Sequence, residues 1–143
     1  MVRQTKTLKT LIKLSAAEVD ERRKALQVIL DAIDKLEESR RQLVELKAQQ
    51  DDFVTKNPDA PEGLGYGAWV RRWRGLLADV DAKIAAARVQ ESKARDLLHE
   101  SFAQQKTFEI SKDAIDTANA LELDKREQKE VDEVQTSRRG NKS

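Results

Sequence analysis

The sequence predicts an all-α fold in which two long helices form an antiparallel coiled-coil hairpin. Three observations support this fold: a highly charged composition, helix breakers confined to one short segment, and apolar residues that recur every three or four positions. Of the 143 residues, 37% are Asp, Glu, Lys or Arg and only 4% are aromatic. Such a chain has too few bulky apolar residues for a thick globular core, whereas its Ala, Glu, Lys, Leu and Arg content favours long helices.

The charge balance and the missing residue types exclude several classes of protein. Lys and Arg total 27 and Asp and Glu total 26, so the net charge of +1 is far below that expected of a general nucleic-acid binder. The absence of Cys excludes a disulfide scaffold and a Cys-based zinc site. No apolar run approaches the roughly 20 residues of a membrane span. We therefore expect no nucleic-acid partner and no direct membrane insertion.

The helix breakers predict where the turn lies. Both Pro residues and three of the five Gly residues fall between Pro58 and Gly67, and the residue before a Pro avoids the α region. Gly75 lies inside the second helix, where it marks either a close approach of the two helices or a weak point. The predicted single domain consists of a helix over about residues 5–57, a turn over 58–66, a helix over 67–138 and a flexible tail over 139–143.

The first helix carries an apolar stripe with alternating spacings of three and four, and seven of its first nine positions are apolar. These nine positions are Leu8, Ile12, Ser15, Val19, Arg22, Leu26, Ile29, Ile33 and Leu36. The stripe is then predicted to shift by one residue and to continue through Leu43, Leu46 and Phe53. A sustained repeat of this kind is typical of a coiled coil.

The second helix has the same spacing, and nine of its thirteen stripe positions are apolar. These positions are Trp73, Leu77, Val80, Ile84, Ala87, Glu91, Ala94, Leu98, Ser101, Gln105, Phe108, Lys112 and Ile115. A short turn makes the two helices antiparallel neighbours. The predicted register places Leu8 near Ile115 and Leu26 near Leu98.

The second helix extends beyond the start of the first. In the predicted register, residues 120–139, which we call the overhang, have no partner in their own chain. Leu121, Leu123, Val131 and Val134 are their only large apolar residues. Because an isolated helix of this length is marginal in water, we expect the overhang to fray when free and to become ordered on a partner.

The sequence contains no pattern typical of a catalytic or metal site. His99 is the only His, and the segment from Gly63 to Gly67 lacks the strand and the Lys-Ser/Thr pair of a phosphate-binding loop. Neighbouring carboxylates such as Glu37 and Glu38 point in different directions on a helix. We therefore expect a protein that is not an enzyme and that has no cofactor and no metal.

The tip of the hairpin is the first candidate binding surface. It holds four of the six aromatic residues close to three arginines; these residues are Phe53, Tyr66, Trp69 and Trp73 with Arg71, Arg72 and Arg74. Aromatic and Arg side chains are enriched at interface hot spots, and a docking site would leave at least one Trp mostly exposed. Equally, the rings could simply cap the open end of the core, and the sequence leaves both interpretations open.

The two chain ends form the second candidate surface. The first helix begins with four basic residues before its first acid, Glu18, namely Arg3, Lys6, Lys9 and Lys13. The overhang carries a dense run of both charges from Asp124 to Glu133, followed by Arg138 and Arg139. Such a run is often only a solvated helix face, but here it lies past the end of the pairing helix.

This end of the chain resembles a known family. The segment Arg126-Glu127-Gln128-Lys129-Glu130-Val131-Asp132-Glu133, followed by Arg138-Arg139, resembles the C-terminal R-x-E-Q-K-x-L-D-E-like pattern of the flagellar export protein FliJ family. The segment from Leu8 to Leu14 resembles the opening of that family, and the length and hairpin plan agree. Val131 replaces the usual Leu, and the tip has Trp where the family often has Tyr or Phe.

The resemblance implies a central stalk similar to the gamma subunit of rotary ATP synthases, working in the cytoplasm at the inner face of the inner membrane. Its paired ends would enter a hexameric export ATPase, through residues that correspond to Lys9, Lys13, Arg126, Gln128, Lys129, Asp132 and Glu133. Its tip would contact the cytoplasmic domain of the membrane export gate, through Leu46, Phe53, Trp69, Trp73 and Leu77. The family is also described as handling export chaperones.

Three alternatives remain open from the sequence. The equivalent stalk of an injectisome has the same plan, and a coiled-coil scaffold or holdase chaperone would need no ATPase partner. Nucleic-acid binding through the basic ends and the arginines between Arg71 and Arg74 is disfavoured by the net charge of only +1. Recovery of a hexameric ATPase from the native cell would separate a stalk from a scaffold.

Overall fold

The computed structural model describes residues 2–140. It contains helix α1 (Val2–Lys56), a short 3-10 helix (Pro61–Gly63) and helix α2 (Tyr66–Gly140). The two long helices pack against each other, and the described residues contain no strand, which confirms the predicted all-α hairpin. Over these same residues, neither helix has a stretch apolar and long enough to cross a membrane.

The helices are slightly longer than the sequence predicts. Helix α1 begins at Val2 instead of near residue 5, and helix α2 runs from Tyr66 to Gly140 instead of from 67 to 138. No Gly or Pro lies between Val2 and residue 5, or between residue 138 and Gly140, to stop the helices earlier. Residues 139 and 140 of the predicted tail are therefore helical, and residues 141–143 of it lie outside the described residues.

The turn is closed by a cap on α1 and by a left-handed glycine before α2. Asn57, which precedes Pro58, donates twice to the Phe53 carbonyl, from its backbone nitrogen at 2.9 Å and from Nδ2 at 3.0 Å. Gly65 has a φ of 79°, a conformation that side chains with a Cβ rarely adopt. The Gly65 carbonyl then accepts the first hydrogen bond of α2 from the Trp69 nitrogen at 3.0 Å.

The chain divides into two compact units, and each has its own buried residues. The end unit contains the described residues up to Asp20 and from His99 onward, and the tip unit contains Glu21–Leu98. The most buried side chains of the end unit are Ser15, Val19 and Ser101, and those of the tip unit are Leu26, Ile33 and Ala94. Whether the chain folds as one domain stays a prediction.

The predicted stripes form the seam, the contact surface between the two helices. All nine positions between Leu8 and Leu36 and all thirteen between Trp73 and Ile115 are buried or half-buried. In the end unit, Leu8 and Ile115 line one groove, as the predicted register requires. The periodicity therefore identified the packed face of each helix correctly over these ranges.

The predicted continuation of the stripe after Leu36 is correct at Leu43, which is half-buried, and wrong at Leu46 and Phe53. Leu46 and Phe53 are 42% and 40% exposed, so they lie outside the seam. Beyond Leu43, the half-buried positions of this part of α1 are Lys47, Asp51 and Val54. Lys47 takes a seam position because its long stem packs at the interface, with Nζ 5.4 Å from the centre of the Trp73 ring.

Candidate protein-binding sites

The overhang is a helix that no other part of the described chain covers. From Leu123 to Gly140 every side chain is exposed, although the helix is continuous. The last half-buried residues of the seam stripe are Asn119 and Glu122. This exposure agrees with the expected absence of an intrachain partner, whereas fraying of the free overhang stays a prediction.

Polar contacts within the overhang are local to its own helix. Arg126 Nη2 lies 3.0 Å from Glu122 Oε1, and Gln128 Nε2 donates to Asp132 Oδ1 at 3.3 Å. Lys129 and Glu133 form no ion pair within the part of the chain that the structure describes. Except for the half-buried Glu122, all these groups are exposed, so their polar atoms are accessible to a partner.

The overhang presents two different faces. Arg126, Lys129 and Glu133 continue the three-and-four spacing of the seam, so the face that is apolar inside the hairpin becomes charged beyond it. A second face, roughly a third of a turn away, carries the apolar residues. Its groove is lined by Glu127, Glu130, Val131, Val134, Gln135 and Arg138.

The start of α1 belongs to the end unit, but it does not lie opposite the Arg126–Glu133 segment. Lys9 and Lys13 are exposed, and their neighbour Leu8 lines a groove with Ile115. Arg126 is eleven residues beyond Ile115, which corresponds to about 16 Å along a helix. The two lysines therefore belong to the end unit without standing directly opposite the residues of the motif.

The tryptophans of the tip unit contact the hairpin itself. Trp73 Nε1 donates to the Leu43 carbonyl of the opposite helix at 2.7 Å. Trp69 stacks on Tyr66, with ring centres 5.8 Å apart and an angle of 22° between the rings. Both tryptophans are half-buried, so neither is mostly exposed, although a docking site built on these rings would require one to be. Their contacts agree better with rings that cap the core.

The exposed apolar residues of the tip unit lie elsewhere. Leu46 and Phe53 project outside the seam, whereas Leu77 is half-buried within it. Ser39, Gln42, Leu43 and Leu46 line a shallow groove on α1. Leu64, which sequence reasoning did not single out, is 84% exposed in the turn. Its position between Gly63 and Gly65 was the available signal, because a turn leaves its apolar residues no surface to pack on.

Ion pairs join the two helices of the tip unit. Arg40 Nε lies 2.7 Å from Asp81 Oδ1, and Arg88 Nη2 lies 2.6 Å from Glu37 Oε1. Glu91 accepts hydrogen bonds from Arg88 at 3.0 Å and from Arg95 at 3.2 Å. The bond from Arg88 is the main cause that lowers the pKa of Glu91 below its usual value.

Comparison with known proteins identifies the family. A family model described as "Flagellar FliJ protein" matches residues 5–143, nearly the whole chain. No curated protein and no solved structure gives a significant match. The match covers the hairpin, the turn and the overhang together. The chain therefore belongs to the FliJ family, whose role lies in flagellar protein export.

Proposed function

We propose that this protein is a non-enzymatic stalk of the flagellar export apparatus at the cytoplasmic face of the inner membrane. Its chain ends enter the hexameric export ATPase, and its tip docks on the cytoplasmic domain of the export gate. The observation that carries the proposal is the overhang, a helix exposed on every side that bears the family's Arg126–Glu133 pattern. Export chaperones are further proposed partners.

A ring-shaped partner suits a helix that is bare on all sides. An isolated helix gains little stability from its own hydrogen bonds, so its order depends on contacts supplied from outside. A pore can surround such a helix and meet both of its faces at once. The charged face offers Arg126, Lys129 and Glu133 for charge-assisted hydrogen bonds, which salt would weaken. Lys9 and Lys13 would meet the ATPase nearer the rim, because they lie further along the hairpin.

At the tip, the proposed gate contacts fall into two groups. Leu46 and Phe53 are exposed and would touch the gate directly. Trp69, Trp73 and Leu77 are half-buried and would act mainly by fixing the helices that present those side chains. The bond from Trp73 to the Leu43 carbonyl is one such support, because Leu43 and Leu46 line the same groove.

Truncation of the chain after Asn119 tests the ATPase assignment. We expect the truncated protein to lose stimulation of the export ATPase, because it lacks the whole overhang. Replacement of both Lys129 and Glu133 by Gln should weaken stimulation about fivefold, since two charge-assisted contacts contribute on the order of 1 kcal/mol.

The matched control replaces Lys83 by Gln and Asp79 by Asn, two exposed residues of opposite charge in the tip unit. This variant should stimulate the ATPase as the unaltered chain does. Full stimulation by the truncated protein would rule out insertion of the overhang into the ATPase.

A further inference from the structure

Three exposed arginines form a positive surface on the first turns of α2. Arg71, Arg72 and Arg74, which we call the arginine patch, are exposed, and no acid occurs between Tyr66 and Ala78. Arg71 Nε donates to the Gly67 carbonyl at 3.4 Å, which leaves its terminal nitrogens available. Within the described residues, none of the three arginines forms an ion pair.

The acids on the neighbouring part of α1 are already paired. Lys47 Nζ lies 2.6 Å from Asp51 Oδ2. Lys56 Nζ lies 3.1 Å from Asp52 Oδ2. Asp51 and Asp52 are therefore already neutralised by lysines of their own helix. The first turn of α2 also contains no acid that could pair with the arginines.

The surroundings of the patch allow a polypeptide to approach closely. A Cβ added to Gly67 or Gly75 would meet no atom within 4 Å, so neither glycine is required by packing inside the chain. Gly75 therefore does not mark a close approach of the two helices. Next to the patch, Arg72 lines a groove with Leu64 and Trp69. An apolar side chain could enter this groove while the arginines hold charged groups beside it.

We propose that the arginine patch binds an acidic polypeptide segment of a protein partner. Carboxylates of that segment bind Arg71, Arg72 and Arg74, whose planar guanidinium groups match a carboxylate with two parallel hydrogen bonds. An apolar residue of the same segment packs against Leu64 and Trp69. This proposal rests on the proposed function in one respect, that the tip faces a protein.

A carboxylate segment fits the patch better than a phosphate-rich surface does. Asp59 and Glu62 lie in the turn, and Glu62 lines the same groove as Arg72. A nucleic acid or an anionic bilayer would bring continuous negative charge against these acids, whereas a peptide can place its apolar residue beside Glu62 and its carboxylates at the arginines. The net charge of the whole chain, +1, gives no long-range attraction to a nucleic acid or a bilayer.

The test measures binding of the full-length chain to a fluorescein-labelled peptide of Glu and Ser with one central Leu, by fluorescence anisotropy. Replacement of all three patch arginines by Gln should weaken peptide binding about tenfold or more, since each arginine contributes a charge-assisted contact. The control replaces Lys24, Lys35 and Lys83 by Gln, which removes the same charge from exposed positions of the tip unit. The control should change the affinity by less than about twofold, because distant charges are screened by salt.

Three results would overturn the proposal. The first is an equal loss of affinity in both variants, which would indicate a net-charge effect. The second is absence of peptide binding to the unaltered chain. The third is tighter binding, at the same salt concentration, to phosphatidylglycerol vesicles or a single-stranded oligonucleotide than to the peptide. None of these measurements involves the ATPase, so failure here would leave the truncation test of the proposed function unaffected.

Discussion

Ile33 is the most deeply buried large side chain among the described residues, with 2% of its surface exposed. Val28, five residues earlier in the same helix, is 69% exposed. Both side chains are β-branched and aliphatic, so they differ mainly in their position relative to the seam. Comparing a substitution at each position therefore measures how much burial in the seam contributes to stability.

We expect Ile33→Ala to lower the free energy of unfolding by about 2–3 kcal/mol, because it removes buried methyl groups and leaves a cavity. Val28→Ala should change it by less than about 0.5 kcal/mol. Urea denaturation followed by circular dichroism measures both values. Similar small losses in the two variants would show that Ile33 does not lie in the seam.

Seam residues could be predicted where most positions of the repeat are apolar, and could not around Lys47 and Asp51, where charged residues take successive seam positions. Every position that the spacing selected from Leu8 to Leu36 is buried or half-buried, because the helix geometry itself sets that period. The spacing failed at Lys47, whose charge argues against burial although its stem packs at the interface. Leu46 and Phe53 were consequently placed in the seam on hydrophobicity alone.

At the scale of the helices, Arg88 joins charged groups on both elements. Arg88 binds Glu91 on its own helix and Glu37 on α1, so the three side chains form one connected group. The side chain of Glu91 is only 13% exposed and lies at a seam position. A polar residue there is tolerated because two arginines satisfy its carboxylate.

Stability of the tip unit should therefore fall in acid. The folded-state pKa of Glu91 lies below its usual value of 4.5, mainly through the bond from Arg88. The contribution of ionised Glu91 to folding stability is fully present above the pKa that Glu91 has in the unfolded chain. It is lost as the pH falls through the pKa that Glu91 has in the folded chain. We expect the melting temperature to decrease as the pH is lowered beyond about 4.5. Glu91→Gln should make the melting temperature less dependent on pH in this range.

Asp96→Asn is the control for this measurement, because Asp96 is an exposed acid of the same helix. It should leave the acid dependence of the melting temperature nearly unchanged. An unaltered dependence in Glu91→Gln, measured by thermal melts from neutral to acidic pH, would exclude Glu91 as its source.

Such contacts also explain why the tip could be predicted only in part. The sequence located its aromatic residues and arginines but not the direction of each side chain. That direction depends on single contacts, such as the bond between Trp73 and a backbone carbonyl of α1. A pattern of residue types carries no information about such a bond.

For the whole molecule, the main asymmetry is that α2 continues beyond the last packed residue. Truncation after Asn119 should leave the melting temperature nearly unchanged, because every side chain from Leu123 to Gly140 is exposed. The helical signal should nevertheless decrease in circular dichroism. A clearly lower melting temperature would show that the overhang packs against the rest of the chain.

The length mismatch behind this asymmetry was predictable from the positions of the breakers alone. The two faces of the overhang were harder to predict, because its few apolar residues do not continue the three-and-four spacing of the seam. Two of these residues, Val131 and Val134, line one groove. The roles of these faces depend on partners, which neither helix periodicity nor burial identifies.

The bare helix also determines where the protein is most open to proteolysis. A protease must unfold a short segment locally before cutting it, and this opening costs little where no tertiary contact is lost. The overhang contains five trypsin sites, at Lys125, Arg126, Lys129, Arg138 and Arg139. Brief trypsin treatment should cut there before it cuts within the seam, as mass spectrometry of the fragments would show. Chains without a partner would then be shortened from the C-terminal end, while bound chains keep the segment intact.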